Sequence, residues 1–161
     1  MKAKRDAFSL DGDAAWIVPV ADSKNKRPNF VPLSPLAVTI CEEIMALAGE
    51  SKWMFPSSRN KDRPVTEGAV TQALRRNLGV LGLEDVRPHD MRRAASTGLA
   101  SVGVPKVVRE RILNHSLGRL DQAYDLHEYT VEKRDALEQW ADRLAVILNA
   151  DEKVVALERT A

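Results

Sequence analysis

His89 and Arg92 stand three residues apart, close enough to project from one face of a helix. An arginine offers planar donors that match two phosphate oxygens, and a neighbouring imidazole can donate to a third or exchange a proton with an attacking hydroxyl. His115 follows just past the expected end of a helix, where its ring could reach the same anion, and nine residues beyond it stands Tyr124, a candidate nucleophile. Taken singly, each has an ordinary explanation. A His-x-x-Arg pair is commonly a helix cap or a surface pair, and a tyrosine in a helical segment is commonly half-buried packing.

Charge distribution points the same way. The formal net charge is only +1, but residues 1–51 carry −1, residues 52–119 carry +7 and residues 120–161 carry −5. A basic middle between less basic ends suits a polyanion, and equally a solvated surface balanced by an acidic tail. At 161 residues the chain fits one domain whose core needs no disulfide. The single cysteine, Cys41, sits in an apolar run and reads as a small buried side chain in a reducing compartment, which points to the cytoplasm. No apolar run reaches the ~18 residues of a membrane span, and the N-terminus lacks the apolar core of a signal peptide. Neither a metal-ligand cluster nor a cofactor motif is present, and no membrane or small-molecule partner is expected.

The elements that must position these groups follow from local patterns. Residues 14–20 (AAWIVPV) and 29–34 (NFVPLS) predict two short strands joined as a β-hairpin, with Lys24, Lys26 and Arg27 at its tip. Ser34 and Pro35 read as an N-cap and first helical residue, Gly49 as the far end, and Leu36, Ile40, Ile44 and Leu47 as the buried face between them. A loop over 51–64 carries an apolar anchor and Pro64 forbids helix through its predecessor. Thr66 then caps a helix to about Leu81 that exposes Arg75 and Arg76. Helices over 88–99 and 105–114 flank a Gly103–Val104–Pro105 break, a pair that superficially resembles a helix-turn-helix. A short helix is expected over 120–124. The last long helix, 130–149, places Val131, Leu137, Trp140, Leu144, Ile147 and Leu148 on a broad stripe; residues 150–161 continue it or fray.

In order and spacing, these motifs resemble the tyrosine recombinase (phage integrase) family over 11–144, particularly the integrases of prophages and genomic islands. The family shows a hairpin with a lysine in a TKN-like turn followed by VPLS; here SKNKRPNFVPLS puts Lys24 in that place. It shows PHDLRR and then a glycine-proline break; here PHDMRR is followed by Gly103 and Pro105. It shows LNH or LGH with the nucleophilic tyrosine nine residues on; here Leu113, Asn114 and His115 are followed by Tyr124. Tyr129, Glu132, Lys133 and Arg134 look like the stretch after that tyrosine.

The resemblance implies an α+β, mainly helical catalytic domain (the DNA breaking-rejoining fold) with a small antiparallel hairpin near its N-terminus, occupying 1–149. It implies site-specific recombination of double-stranded DNA, without metal or cofactor, by a homo-oligomer that acts as a tetramer on DNA. Tyr124 would attack the scissile phosphate and form a 3′-phosphotyrosyl link. Arg92 would clamp the nonbridging oxygens, Lys24 protonate the leaving 5′ oxygen, His89 assist proton transfer at the tyrosine, and His115 donate to the phosphate. Arg93, Arg75, Arg76, Lys106 and Arg109 would contact the DNA backbone. Tyr129 is the alternative nucleophile, but the nine-residue interval favours Tyr124 and leaves Tyr129 as packing.

One family feature has no counterpart. The family carries another catalytic arginine well ahead of the hairpin lysine, whereas only 23 residues precede Lys24 and Arg5 stands too near the hairpin. The expectation is a chain that begins inside the catalytic domain and is a weak or inactive recombinase alone. Two rivals stand beside it. In one, the basic helices act as a non-catalytic helix-turn-helix regulator, with Arg111 a further phosphate contact. In the other, a catalytic remnant associates through its last helix without acting on DNA.

Overall fold

The computed structural model describes residues 2–23, 27–115 and 127–158, with side chains through 149 in the last stretch. The fold is mainly helical with one small antiparallel sheet. Its strands are β1 (Phe8–Ser9), β2 (Ala15–Val18) and β3 (Asn29–Pro32), in the spatial order β1-β2-β3. Five α-helices follow: α1 (Pro35–Ala48), α2 (Glu67–Asn77), α3 (Pro88–Ser101), α4 (Lys106–Ile112) and α5 (Thr130–Glu158). Lys24, Tyr124 and the short helix expected over 120–124 lie outside the described residues.

The β2–β3 hairpin pairs Trp16 with Val31 and Ile17 with Phe30, as the two extended runs imply. β1 is an addition: two residues are too few to show a periodicity, and β1 is held by pairing Phe8 with Trp16, whose rings stack at 5.3 Å.

Helix starts follow the capping residues. Ser34 Oγ accepts from Ala37 N at 3.3 Å and Thr66 Oγ1 from Ala69 N at 3.2 Å, each satisfying an amide that the first turn leaves without a partner. Gly49 closes α1 at φ +64°, a conformation a Cβ would oppose.

The apolar face of α1 differs from the expected stripe. Leu47 is 85% exposed and Ile40 47%, while Ala48 is buried and Val38, Cys41 and Ile44 are half-buried. The inward face therefore runs 38–41–44–48, about a third of a turn from the apolar positions read as a stripe. Of the expected stripe, Leu36 and Ile44 are half-buried and Ile40 and Leu47 are exposed. Cys41 is half-buried, not fully enclosed, and its burial pushes the thiol pKa up.

α5 is the element on which the others converge: it packs against β3, α4, α1 and α3. Its inward face carries Lys133, Ala136 and Ala141, all buried, with Leu137, Trp140 and Leu144 half-buried. Val131, at 69% exposed, and Ile147 and Leu148 fall off this face. Helix also persists through 150–158, so the last helix is longer than the apolar pattern alone required. The core beneath it joins Leu99, Val104, Val108 and Ala136, with Val102, Ile112, Tyr129 and Trp140 against them. Leu99 is 1% exposed, a burial worth about 1.5–3 kcal/mol. Among the described residues no helix is long and apolar enough to cross a membrane.

Candidate active site

Two residues of PHDMRR serve the helix so that others can face outward. Pro88 takes the first helical position of α3, where no amide is needed, and Asp90 Oδ2 accepts from Arg87 N at 3.0 Å. His89 and Arg92 are left exposed near the same helix end. Arg92 has no partner among the described residues, so its donors are open to a ligand. Arg93 meets Asp90 at 3.5 Å, an exposed pair that contributes little to stability.

His89 lines an open groove of about 450 Å³ with Arg75, Arg87, Glu67, Val70 and Thr71, between α2 and the start of α3. Arg76 is exposed on the same helix as Arg75. On α4, Lys106 is exposed at the first position. Arg109 is half-buried and turns toward α3, where Nη1 donates to the Ser96 carbonyl at 3.4 Å.

His115 lies elsewhere in the surface relief. The break after α3 is made by Gly103 at φ +86°, and Val104 drops into the core, so α4 folds back onto α3 and α5. After α4, Asn114 adopts φ +51°, a left-handed conformation that asparagine tolerates better than most residues. That turn delivers His115 to a second pocket, of about 370 Å³, lined by Arg27, Phe30, Arg111, Asn114, His127, Glu128 and Lys133 among others. The pocket sits where the hairpin, the end of α4 and the start of α5 meet. Asn114 Nδ2 donates to Ser23 Oγ at 3.2 Å, which joins this turn to the residue before Lys24.

The electrostatics of this second pocket suit an anion. Arg27, Arg111 and Lys133 bring positive charge and Glu128 opposes it. Lys133 is 5% exposed; its Nζ donates to the Phe30 carbonyl and lies 6.0 Å from the Phe30 ring centroid. Burial pushes its ammonium pKa down, Glu128 counteracts this, and Arg111 adds to the lowering. Glu132 is held below the usual carboxylate range by a backbone hydrogen bond and by His127, whose Nε2 lies 2.8 Å from Glu132 Oε1. The Arg111 guanidinium stands 5.3 Å from the centre of the Tyr129 ring, and that ring packs on the core around Leu99 and Val104.

The structure thus groups His115 with Arg27, Arg111 and Lys133, and groups His89 with Arg75 and Arg87. Arg92 lines neither pocket. His127 is a pocket residue that sequence reasoning passed over. One signal was available: all three histidines of the chain fall within residues 88–129.

Residues 3–130 match the model of the phage integrase family. The chain is 34% identical over 128 residues to "Prophage integrase IntA" of Escherichia coli K12, an alignment covering 79% of this chain and 30% of that protein. It is 27% identical to the "Integrase" of Enterobacteria phage P4, over 98% of this chain and 39% of the relative. It is also 28% identical to "Prophage integrase IntZ" of E. coli K12, over 84% and 33% respectively. The chain spans about a third of the length of these curated relatives. No solved structure matches it. With the match covering most of its length, the chain belongs to the phage integrase family.

Proposed function

We propose that the chain carries catalytic residues of a site-specific recombinase that cuts and rejoins duplex DNA through a 3′-phosphotyrosyl intermediate. The observation that carries this reading is the pocket that His115 lines together with Arg27, Arg111 and Lys133, fastened through Asn114 to Ser23. Tyr124 is assigned as nucleophile: its phenol oxygen forms a bond to phosphorus as the bond to the 5′ oxygen breaks, and Lys24 supplies the proton to that leaving oxygen. A phenol of pKa near 10 needs neighbouring cations and a base to act at neutral pH. Arg92, open to solvent at the start of α3, is assigned to the nonbridging oxygens, with His115 as a second donor and His89 as the proton-transfer partner. Arg75 and Arg87, which line the groove beside His89, are assigned with Arg93, Arg76, Lys106 and Arg109 to backbone phosphates of the duplex. Assembly into a homo-oligomer, a tetramer on DNA, belongs to the same reading.

Arg5 Nη1 donates to the Gly49 carbonyl, which gives this guanidinium a structural role outside the phosphate site.

The deciding experiment incubates the chain with a nicked duplex library of randomised core sequence and looks for an SDS-resistant protein–DNA adduct. The expected result is a slow-forming adduct that Tyr124→Phe abolishes and Tyr129→Phe retains. An adduct that survives Tyr124→Phe removes that residue as nucleophile. Salt-dependent duplex binding with no adduct under any condition favours a non-catalytic DNA-binding role.

A further inference from the structure

His115 meets Glu110 twice. Its backbone amide donates to the Glu110 carbonyl at 2.9 Å, and its ring Nδ1 lies 2.6 Å from Glu110 Oε2. The two contacts bracket the end of α4, where the left-handed Asn114 turns the chain and returns the imidazole over the helix it has just left. A carboxylate oxygen only accepts, so Nδ1 carries the proton in this bond, and Nε2 is the ring nitrogen left for a ligand in the pocket that His115 lines.

Helix stability does not account for this carboxylate. Glu110 sits in the last turn of α4, where the helix presents carbonyl oxygens and the negative end of its dipole, so an acidic side chain is disfavoured there. An ion pair with both side chains about a third or more exposed also contributes little to folding. What the pair does achieve is geometric: it fixes one tautomer and one orientation of a ring that would otherwise rotate freely.

We propose that Glu110 is a positioning residue for His115, holding Nδ1 so that Nε2 is presented to a phosphate oxygen in the pocket shared with Arg27, Arg111 and Lys133. The proposal rests on the reading of His115 as a phosphate ligand. In the neutral ring Nε2 accepts; when the ring takes its second proton, Nε2 donates to the nonbridging oxygen, and the carboxylate remains on Nδ1 in both states. A carboxamide cannot enforce this, because it can accept from a protonated Nδ1 or donate to a bare one.

Two measurements test it. Long-range ¹H–¹⁵N spectra of the labelled chain report which nitrogen of His115 carries the proton. The wild type is expected to show Nδ1–H, Glu110→Gln a mixture, and Glu110→Leu a shift toward the Nε2–H form. On the nicked duplex library, both variants are expected to slow adduct formation by roughly tenfold, the scale of losing a group that orients an imidazole. Glu110→Gln combined with His115→Ala should be no slower than His115→Ala alone. A wild-type ring protonated at Nε2 with Nδ1 bare, or a double variant that loses the full Glu110 factor again, overturns the proposal. If the wild type forms no adduct, the recombinase reading fails, and the ring spectra alone decide whether Glu110 holds the imidazole.

Discussion

Asn114 Nδ2 donates to Ser23 Oγ at 3.2 Å, joining residues 91 apart in the chain. Ser23 is buried at the end of the sheet region and Asn114 forms the left-handed turn after α4, so the bond fastens the hairpin to the segment that carries His115. Asn114 thus has two separable roles, one in its backbone and one in its amide. Asn114→Gly keeps the left-handed conformation and loses the amide, and should cost about 1 kcal/mol, the net worth of one such hydrogen bond. Asn114→Val adds the strain of a β-branched residue at positive φ and should cost roughly a further 1–2 kcal/mol. Urea unfolding midpoints of the two variants separate the contributions; equal midpoints would deny the backbone a role.

Gly98 on α3 faces Trp140 on α5 so closely that a Cβ there would overlap the Trp140 ring. The rigid indole ring has to shift to admit a methyl group there. Gly98→Ala is expected to destabilise by about 1–3 kcal/mol through overpacking, despite alanine's better helix propensity. Pairing it with Trp140→Leu should recover part of the loss, because the smaller side chain vacates the space. A double variant no more stable than the sum of the two singles would count against direct contact as the cause.

Lys133 makes stability depend on alkaline pH. Burial lowers its folded pKa below the ordinary lysine value, so the unfolded chain binds more protons in the window between the folded value and about 10.4. Stability contributed by this group therefore rises with pH across that window, and the cost of burying the ammonium is fully present below it. Compared with Lys133→Met, which removes the charge at similar length, the wild type should gain relative stability between pH 7 and pH 10. Unfolding both proteins at several pH values gives the difference directly, and a flat difference would show that Lys133 is not desolvated.

Arg92→Ala should leave folding unchanged to within about 0.5 kcal/mol, because the side chain is exposed and has no partner among the described residues. In the adduct assay the same change should slow strand cleavage by about 10²–10³. Arg93→Ala, at a residue assigned to the duplex backbone and not to the scissile phosphate, should weaken duplex binding and reduce its salt dependence with a much smaller effect on the cleavage step. Equal losses in cleavage for the two variants would place both arginines in one role.

Local chemistry determined much of this protein from the sequence alone. Ser34 with Pro35, Thr66, and Pro88 set the starts of three helices because capping depends on the residues beside the amides they satisfy. The alternation around Trp16 and Val31 set the hairpin, and the order of PHDMRR, LNH and Tyr124 placed the chain's family before any fold was known. Burial was another matter. The faces of α1 and α5 depend on which neighbours arrive to cover them, and so Ile40, Leu47 and Val131 are exposed while Lys133 is enclosed. Nor could spacing show that Ser23 meets Asn114 or that His127 joins the pocket of His115. Those contacts arise where separate elements converge, and the convergence is set by α5 packing onto β3, α3 and α4.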